Sequence, residues 1–227
     1  MPSEKCGTTR CMKKMFAEVK VLVWDFDGTF YRPNPELWHE IREAEYQVIA
    51  DHTGWPKEKV IREFSSLHKK VYQSATQVAS TLAGISPSQA AVEMEEYFDR
   101  RKYLTRDKKL ITLFKKLKTY RHCILANGVI THYKETLRVL GVSPDIFELI
   151  VTSETVGKTK PDSAGFLYIL NHTKLPAYQH LMIGDRESSD IIPARDLGMR
   201  TCLVWSHTKS RIADTTLASV YDVEAVV

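Results

Sequence analysis

Short apolar runs alternate with helix-period segments along most of the chain. Val21-Leu22-Val23-Trp24 is hydrophobic at every position, the pattern of a parallel strand covered by helices on both faces. Residues 122–126, 148–151, 181–185 and 201–205 read the same way. Between these runs Ile130, Tyr133, Leu137 and Leu140 recur at helical spacing before Gly141, which reads as a stop. Residues 161–171 predict a helix with Phe166, Leu167 and Leu170 inward, and residues 191–197 a short one stopped by Gly198. Strands alternating with helices at this pitch predict an α/β fold with a doubly wound parallel sheet.

The first crossover breaks the pattern, because residues 30–120 hold helical periods and no convincing strand. Asn34 followed by Pro35 is a capping side chain before a proline at the first helical position. Leu37, Ile41, Ala44, Val48 and Ile49 then mark one face up to about His52, with Gly54 as the stop. Pro56 opens a second helix carrying Val60, Ile61, Phe64, Leu67 and Val71. Ser86-Pro87 opens another with Ala90, Ala91, Met94, Tyr97 and Phe98, and Asp107 a fourth with Leu110, Ile111, Phe114 and Leu117. This is far more chain than one crossover needs. The expected division is a loose extension over residues 1–19, an α/β core of residues 20–31 and 105–227, and an all-helical insert of residues 32–104 over the carboxyl ends of the strands.

With 227 residues, 43% hydrophobic and 26% charged, the chain has the composition of a soluble globular protein. No apolar run approaches the ~20 residues that cross a bilayer. The polar amino-terminal region lacks the apolar centre of a secretory signal. Lys115, Lys116, Lys118 and Arg121 form the densest basic cluster of a chain with net charge +4. They read as a solvated face at a helix end, so neither a membrane nor a nucleic-acid partner is expected. Cys6 and Cys11 are spaced too widely for a CxxC site, and Cys123 and Cys202 fall in apolar runs as small hydrophobes. A reducing cytoplasm fits that usage. The histidines stand singly, and neither a GxSxG elbow nor a GxxxxGK[ST] loop is present.

The chemistry lies at the strand ends. The first strand runs into Asp25-Phe26-Asp27-Gly28-Thr29, where strand alternation sends the two acids to one side. Asn127-Gly128 ends the second strand and Asp185 the fourth, with Asp190 five positions further on. Lys160 precedes Pro161, which keeps the lysine out of the helix that follows. In open parallel sheets ligands bind at the carboxyl ends of the strands. Acids converging there from different strands make a hard-oxygen cation site suited to Mg²⁺, and a nearby lysine offsets the charge of a phosphate.

Asp25-Phe26-Asp27-Gly28-Thr29, Lys160-Pro161 and Gly184-Asp185-Arg186 with Asp190 together resemble, in order and spacing, the haloacid dehalogenase superfamily of phosphohydrolases. The resemblance implies a Rossmann-like core, with the helical insert as the cap this family places after its first motif. It implies Asp25 as the nucleophile that forms an aspartyl-phosphate, and Asp27 as the acid and base at the leaving oxygen and the attacking water. It implies Lys160 as the neutralising cation, and Asp25, the Asp27 carbonyl, Asp185 and Asp190 around Mg²⁺. Asp27 also argues for phosphate esters over haloacids, because a halide leaves without a proton.

One position departs from the family pattern: Ala126 stands where a Ser or Thr binds the phosphate. The expectation is that Asn127, with its backbone N–H, partly replaces that hydroxyl, and that Gly128 and Lys160 also bind the phosphate. Tyr31 and Arg32 are expected to meet the leaving group. Trp38, Trp55 and Tyr72 read as insert core residues, and Lys57, Lys59, Lys69 and Lys70 as exposed helix charge. The expected function is a Mg²⁺-dependent phosphatase of small phosphorylated metabolites, acting as a monomer or weak dimer. The alternatives are a sugar-phosphate mutase and a binder weakened by Ala126.

Overall fold

The structure, a computed structural model, describes residues 15–32, 34–70 and 74–227. Val21–Trp24 (β1), Arg121–Leu125 (β2), Phe147–Val151 (β3), His180–Gly184 (β4), Arg200–Leu203 (β5) and Thr215–Thr216 (β6) form one sheet in the order β3-β2-β1-β4-β5-β6. Every pairing is parallel. Trp24 stands beside Ile124 of β2 and Ile183 of β4, which brings these three strand ends level. The chain steps outward from β1 to β3 and then returns to the far side of β1 for β4. The strand order therefore reverses between β1 and β4, where open sheets place their ligands.

Period-2 alternation explains why β1 is apolar throughout. Leu22 and Trp24 face one core with Phe30, Phe114 and Ile183, whereas Val21 and Val23 face the other with Phe166, Ile169 and Met182. Cys123 and Cys202 are buried free thiols, as their apolar setting predicts. No helix among the described residues is long and apolar enough to cross a membrane.

Pro35–Thr53 (α1), Lys57–Lys70 (α2), Ala75–Ala83 (α3) and Pro87–Met94 (α4) fill the first crossover, ahead of Lys108–Lys116 (α5). Asn34 Oδ1 accepts from the Leu37 amide at 2.8 Å, and Gly54 closes α1 in the left-handed region at φ 67°. Helix α3 was not expected from the sequence. Ser74 caps it and Gly84 ends it, and Ala75, Val78, Ala79, Leu82 and Ala83 recur at helical spacing, though mostly as small residues. Val71 and Tyr72 lie outside the described residues. Ile61 and Tyr97, read as inward, are 38% and 48% exposed.

Ile130–Leu140 (α6), Ser153–Val156 (α7), Ala164–Thr173 (α8) and Ile192–Asp196 (α9) complete the helices. Helix α8 starts later than the predicted residue 161, because residues 160–163 form a turn, and Leu167 is 41% exposed. A π turn over Glu187–Ile191 precedes α9. The fifth strand stops at Leu203 rather than 205: Trp205 turns left-handed at φ 60° and its indole donates to Thr29 O at 2.9 Å. The loose extension expected over residues 1–19 has given way to packed chain by Phe16, since Phe16 and Val19 are buried in the core. Cys6 and Cys11 lie outside the described residues.

Candidate active site

The end of β1 is fixed before it reaches any ligand. The Asp25 amide donates to Ile183 O at 2.9 Å, continuing the ladder to β4. Thr29 Oγ1, fully buried, donates to Asp25 Oδ2 at 2.8 Å. Gly28 turns the backbone at φ 89°, and a Cβ there would stand 2.5 Å from Asp185 Oδ2. Only glycine lets the first loop approach the β4 carboxylate so closely.

Lys160 reaches the other side of Asp25. Its Nζ lies 2.6 Å from Asp25 Oδ1 and 2.6 Å from Asp190 Oδ1. Asn127 sets its main chain: Asn127 Oδ1 accepts from the Lys160 amide at 2.8 Å, and Nδ2 donates back to Lys160 O at 3.4 Å. The Asn127 carboxamide is thus committed to Lys160. The amides of Asn127 and Gly128 have no acceptor among the described residues. Ala126 is buried, its own amide donating to Val151 O at 3.0 Å. The Arg186 amide donates to Asp190 Oδ2 at 3.1 Å and fixes that acid in turn.

Carboxylate oxygens of Asp25, Asp185 and Asp190 lie within 4.8 Å of one another. Burial alone would lower the Lys160 pKa, but Asp190 and Asp25 outweigh it and hold the ammonium well above its ordinary value. Burial, with Asp25 and Asp190 alongside, pushes the Asp185 carboxyl up to about 7. Asp185 Oδ1 is buried and has no hydrogen-bond partner among the described residues. Three carboxylates facing one ammonium, with an orphaned oxygen among them, fit a hard divalent cation with oxygen ligands.

The Asp27 carboxylate stands outside that group. Its Oδ1 accepts from the Tyr31 hydroxyl and pairs with Arg100 Nε at 3.2 Å, and its Oδ2 accepts from Tyr133 Oη at 3.0 Å. Arg100 Nη2 also pairs with Glu95 Oε1 at 2.5 Å, and His132 Nδ1 lies 2.8 Å from Glu95 Oε2. Gly128 packs so tightly here that a Cβ would stand 2.4 Å from Tyr133 Oη. Sequence reasoning missed Glu95, Arg100 and the polar end of Tyr133. Glu95 and Arg100 lie five residues apart and Tyr133 on α6, and no periodicity or motif marks their polar ends.

Asp25, Asp27, Asn127, Gly128, Lys160, Asp185 and Asp190 all line one cavity of about 310 Å³. Its far wall comes from the helical segment and includes Trp38, Arg42, Glu45 and His68. Burial pushes the Glu45 carboxyl up to about 7 against the pull of Arg42, whose Nη1 lies 2.8 Å away, and of Arg186. The Arg186 guanidinium stacks 5.5 Å from the centre of the Trp38 ring and joins the two walls. Tyr31 and Arg32, expected at the leaving group, do not line the cavity: Tyr31 is spent on Asp27, and Arg32 lies over Trp205. Lys57 pairs with Glu43 and Lys59 covers Trp55, so neither lysine enters the site.

The chain resembles known phosphatases in sequence and shape. The glyceraldehyde 3-phosphate phosphatase of Methanocaldococcus jannaschii is 37% identical over 78 residues, 34% of each chain. The pyrimidine 5′-nucleotidase YjjG of Escherichia coli is 34% identical over 106 residues, 44% of this chain and 47% of that one. The chain thus spans less than half the length of these curated relatives. A HAD phosphatase from Thermococcus onnurineus superposes with a TM-score of 0.65 at 19% identity, over 92% of this chain and 97% of that one, and shows the shared fold. The sequence model described as haloacid dehalogenase-like hydrolase matches residues 19–198, most of the chain, and the chain belongs to that family.

Proposed function

We propose that the chain is a Mg²⁺-dependent phosphatase of small phosphorylated metabolites such as sugar phosphates or nucleotides. One observation carries the reading. Asp25, Lys160, Asp185 and Asp190 meet where the strand order reverses, inside a cavity closed by helices. Asp25 attacks phosphorus and forms an aspartyl-phosphate, splitting one hard displacement into two easier ones. Thr29 and Lys160 hold the Asp25 carboxylate from either side, so it meets the phosphate already aimed. Asp27 protonates the departing ester oxygen and then takes a proton from the water that attacks the aspartyl-phosphate. Asp25, Asp185, Asp190 and the Asp27 carbonyl would hold Mg²⁺, which supplies the positive charge that lets an anionic nucleophile approach an anionic phosphate. Lys160 adds a second cation at the same edge, and the amides of Asn127 and Gly128 are free to donate to phosphate oxygens. The helical segment 32–104 acts as the cap, excluding water and selecting the leaving group through the wall around Trp38 and Glu45.

The test is inorganic phosphate release from a panel of sugar phosphates, triose phosphates and nucleotides, with Mg²⁺ or with EDTA. Release from at least one substrate that EDTA abolishes is the expected result. Ala126 favours a second reading, a chain that binds phosphorylated metabolites without turning them over, and no release from any substrate would select it. Restoring the hydroxyl in Ala126→Thr is expected to raise turnover, because a hydrogen bond to a charged group is worth ~1.5–3 kcal/mol, about 10- to 150-fold in rate. An unchanged or slower variant means the free amides already suffice.

A further inference from the structure

The two acids of the first loop are held by separate sets of partners. Asp25 is held by Thr29 and Lys160, Asp27 by Tyr31, Tyr133 and Arg100, and among the described residues no side chain bonds or pairs with both. Arg100 sits on the 3₁₀ turn Arg100–Tyr103, where the chain returns from the helical segment to the core. It is 3% exposed, yet it lines the cavity. The rings of Phe98 and Tyr133 each lie 5.0 Å from its guanidinium carbon. Glu95 accepts from Nη2 and Asp27 Oδ1 lies at ion-pair distance from Nε, while Nε and Nη1 are buried without a hydrogen-bond partner among the described residues. A cation that two carboxylates already compensate has little charge left for a substrate anion. Its effect falls on Asp27.

We propose that Arg100, with Tyr133, is a positioning residue that aims the Asp27 carboxyl at the leaving oxygen. This rests on Asp27 acting as the leaving-group acid. In that step the bond from Asp25 to phosphorus forms and the ester P–O bond breaks, and the departing oxygen takes the Asp27 proton. The attacking water later returns a proton to Asp27. A carboxyl that must give and then regain a proton at one place gains from a fixed orientation, and the Asp27 side chain, 26% exposed, is held by Tyr31, Tyr133 and Arg100. A purely structural ion pair would support the fold alone, and its loss would slow all substrates alike.

Leaving-group dependence separates these cases. p-Nitrophenyl phosphate releases an oxygen stable without a proton, whereas benzyl phosphate, of similar size, releases an alkoxide that needs one. The readout is kcat/KM, which reports transfer to Asp25 rather than the later hydrolysis. In Arg100→Gln and in Tyr133→Phe the loss on benzyl phosphate should exceed that on p-nitrophenyl phosphate by about 10-fold or more, the low end of general acid effects after misalignment. Tyr133→Phe removes one hydroxyl and keeps the ring, so it stands as the test if Arg100→Gln does not fold. Adding Tyr133→Phe to Asp27→Asn should cost nothing further. Equal losses on both esters, or a further loss in the Asp27→Asn background, would overturn the proposal. A wild type that releases phosphate from neither ester nor any panel substrate would instead overturn the phosphatase reading on which it rests.

Discussion

At the scale of single residues, the site works by holding carboxylates in place without neutralising all of them. Thr29 shows this most simply, because one buried hydroxyl fixes Asp25 Oδ2 while Lys160 holds Oδ1. Thr29 either aims Asp25 or merely shapes the turn after Gly28, and Thr29→Val distinguishes the two roles. Valine keeps the shape and removes a charge-assisted bond, so the melting temperature should fall by a few degrees whichever role holds, and kcat about 10-fold or more if Thr29 aims Asp25. An unchanged kcat would return Thr29 to the turn alone. Asp25, Asp27, Lys160 and Asp185 could be picked out in the sequence because each sits at a strand end or beside a punctuating Gly or Pro, and Asp190 by its spacing from Asp185. Arg100, Glu95 and Tyr133 were not, because only tertiary packing brings an interhelix turn, a helix end and a helix face to Asp27.

At the scale of elements, β1 is tied to its neighbour by side chains as well as by its ladder. Trp24 Nε1 donates to His122 Nδ1 of β2 at 3.1 Å, and His122 Nε2 lies 3.0 Å from Leu117 O. With Nδ1 accepting, Nε2 carries the proton, and the neutral ring satisfies both contacts. Burial lowers the His122 pKa against the smaller pull of the Leu117 carbonyl. The unfolded chain therefore binds this proton first. The stabilisation is full above the unfolded histidine pKa of about 6.5 and is lost as pH falls toward the lower folded value. Urea midpoints between pH 8 and 5 should drop less steeply in His122→Gln than in wild type, and parallel profiles would remove His122 from the acid response. The same elements show where patterning works. Helix α1 was legible from its cap, its face and its glycine stop; α3 is capped just as clearly by Ser74 and Gly84, and its apolar face is built mostly of alanine. The boundaries of α8 and β5 shifted where residues 160–163 and Trp205 turn the chain, which local periodicity does not encode.

At the scale of the whole molecule, the crossing of two chain directions at β1 and β4 concentrates like charge in the interior. Asp185, with its orphaned Oδ1, makes the metal-free site a liability for stability. Mg²⁺ should therefore raise the melting temperature saturably, with roughly 2.7 kcal/mol gained at a hundredfold excess over Kd. Asp185→Asn should abolish that shift while raising the melting temperature of the metal-free chain, since function and stability conflict at such a site. A variant less stable than wild type without metal would show that Asp185 has a structural partner. In the proposed reaction a carboxylate oxygen of Asp25 is the atom that meets phosphorus. The most direct measurement is rapid-quench mass spectrometry of the Asp25 peptide during turnover of the best panel substrate, beside phosphate release by Asp25→Asn. A phosphoryl group on Asp25 in wild type, with release by the variant reduced to background, is the predicted result. Turnover by the variant at the wild-type rate, or a phosphoryl group on another residue, would contradict it.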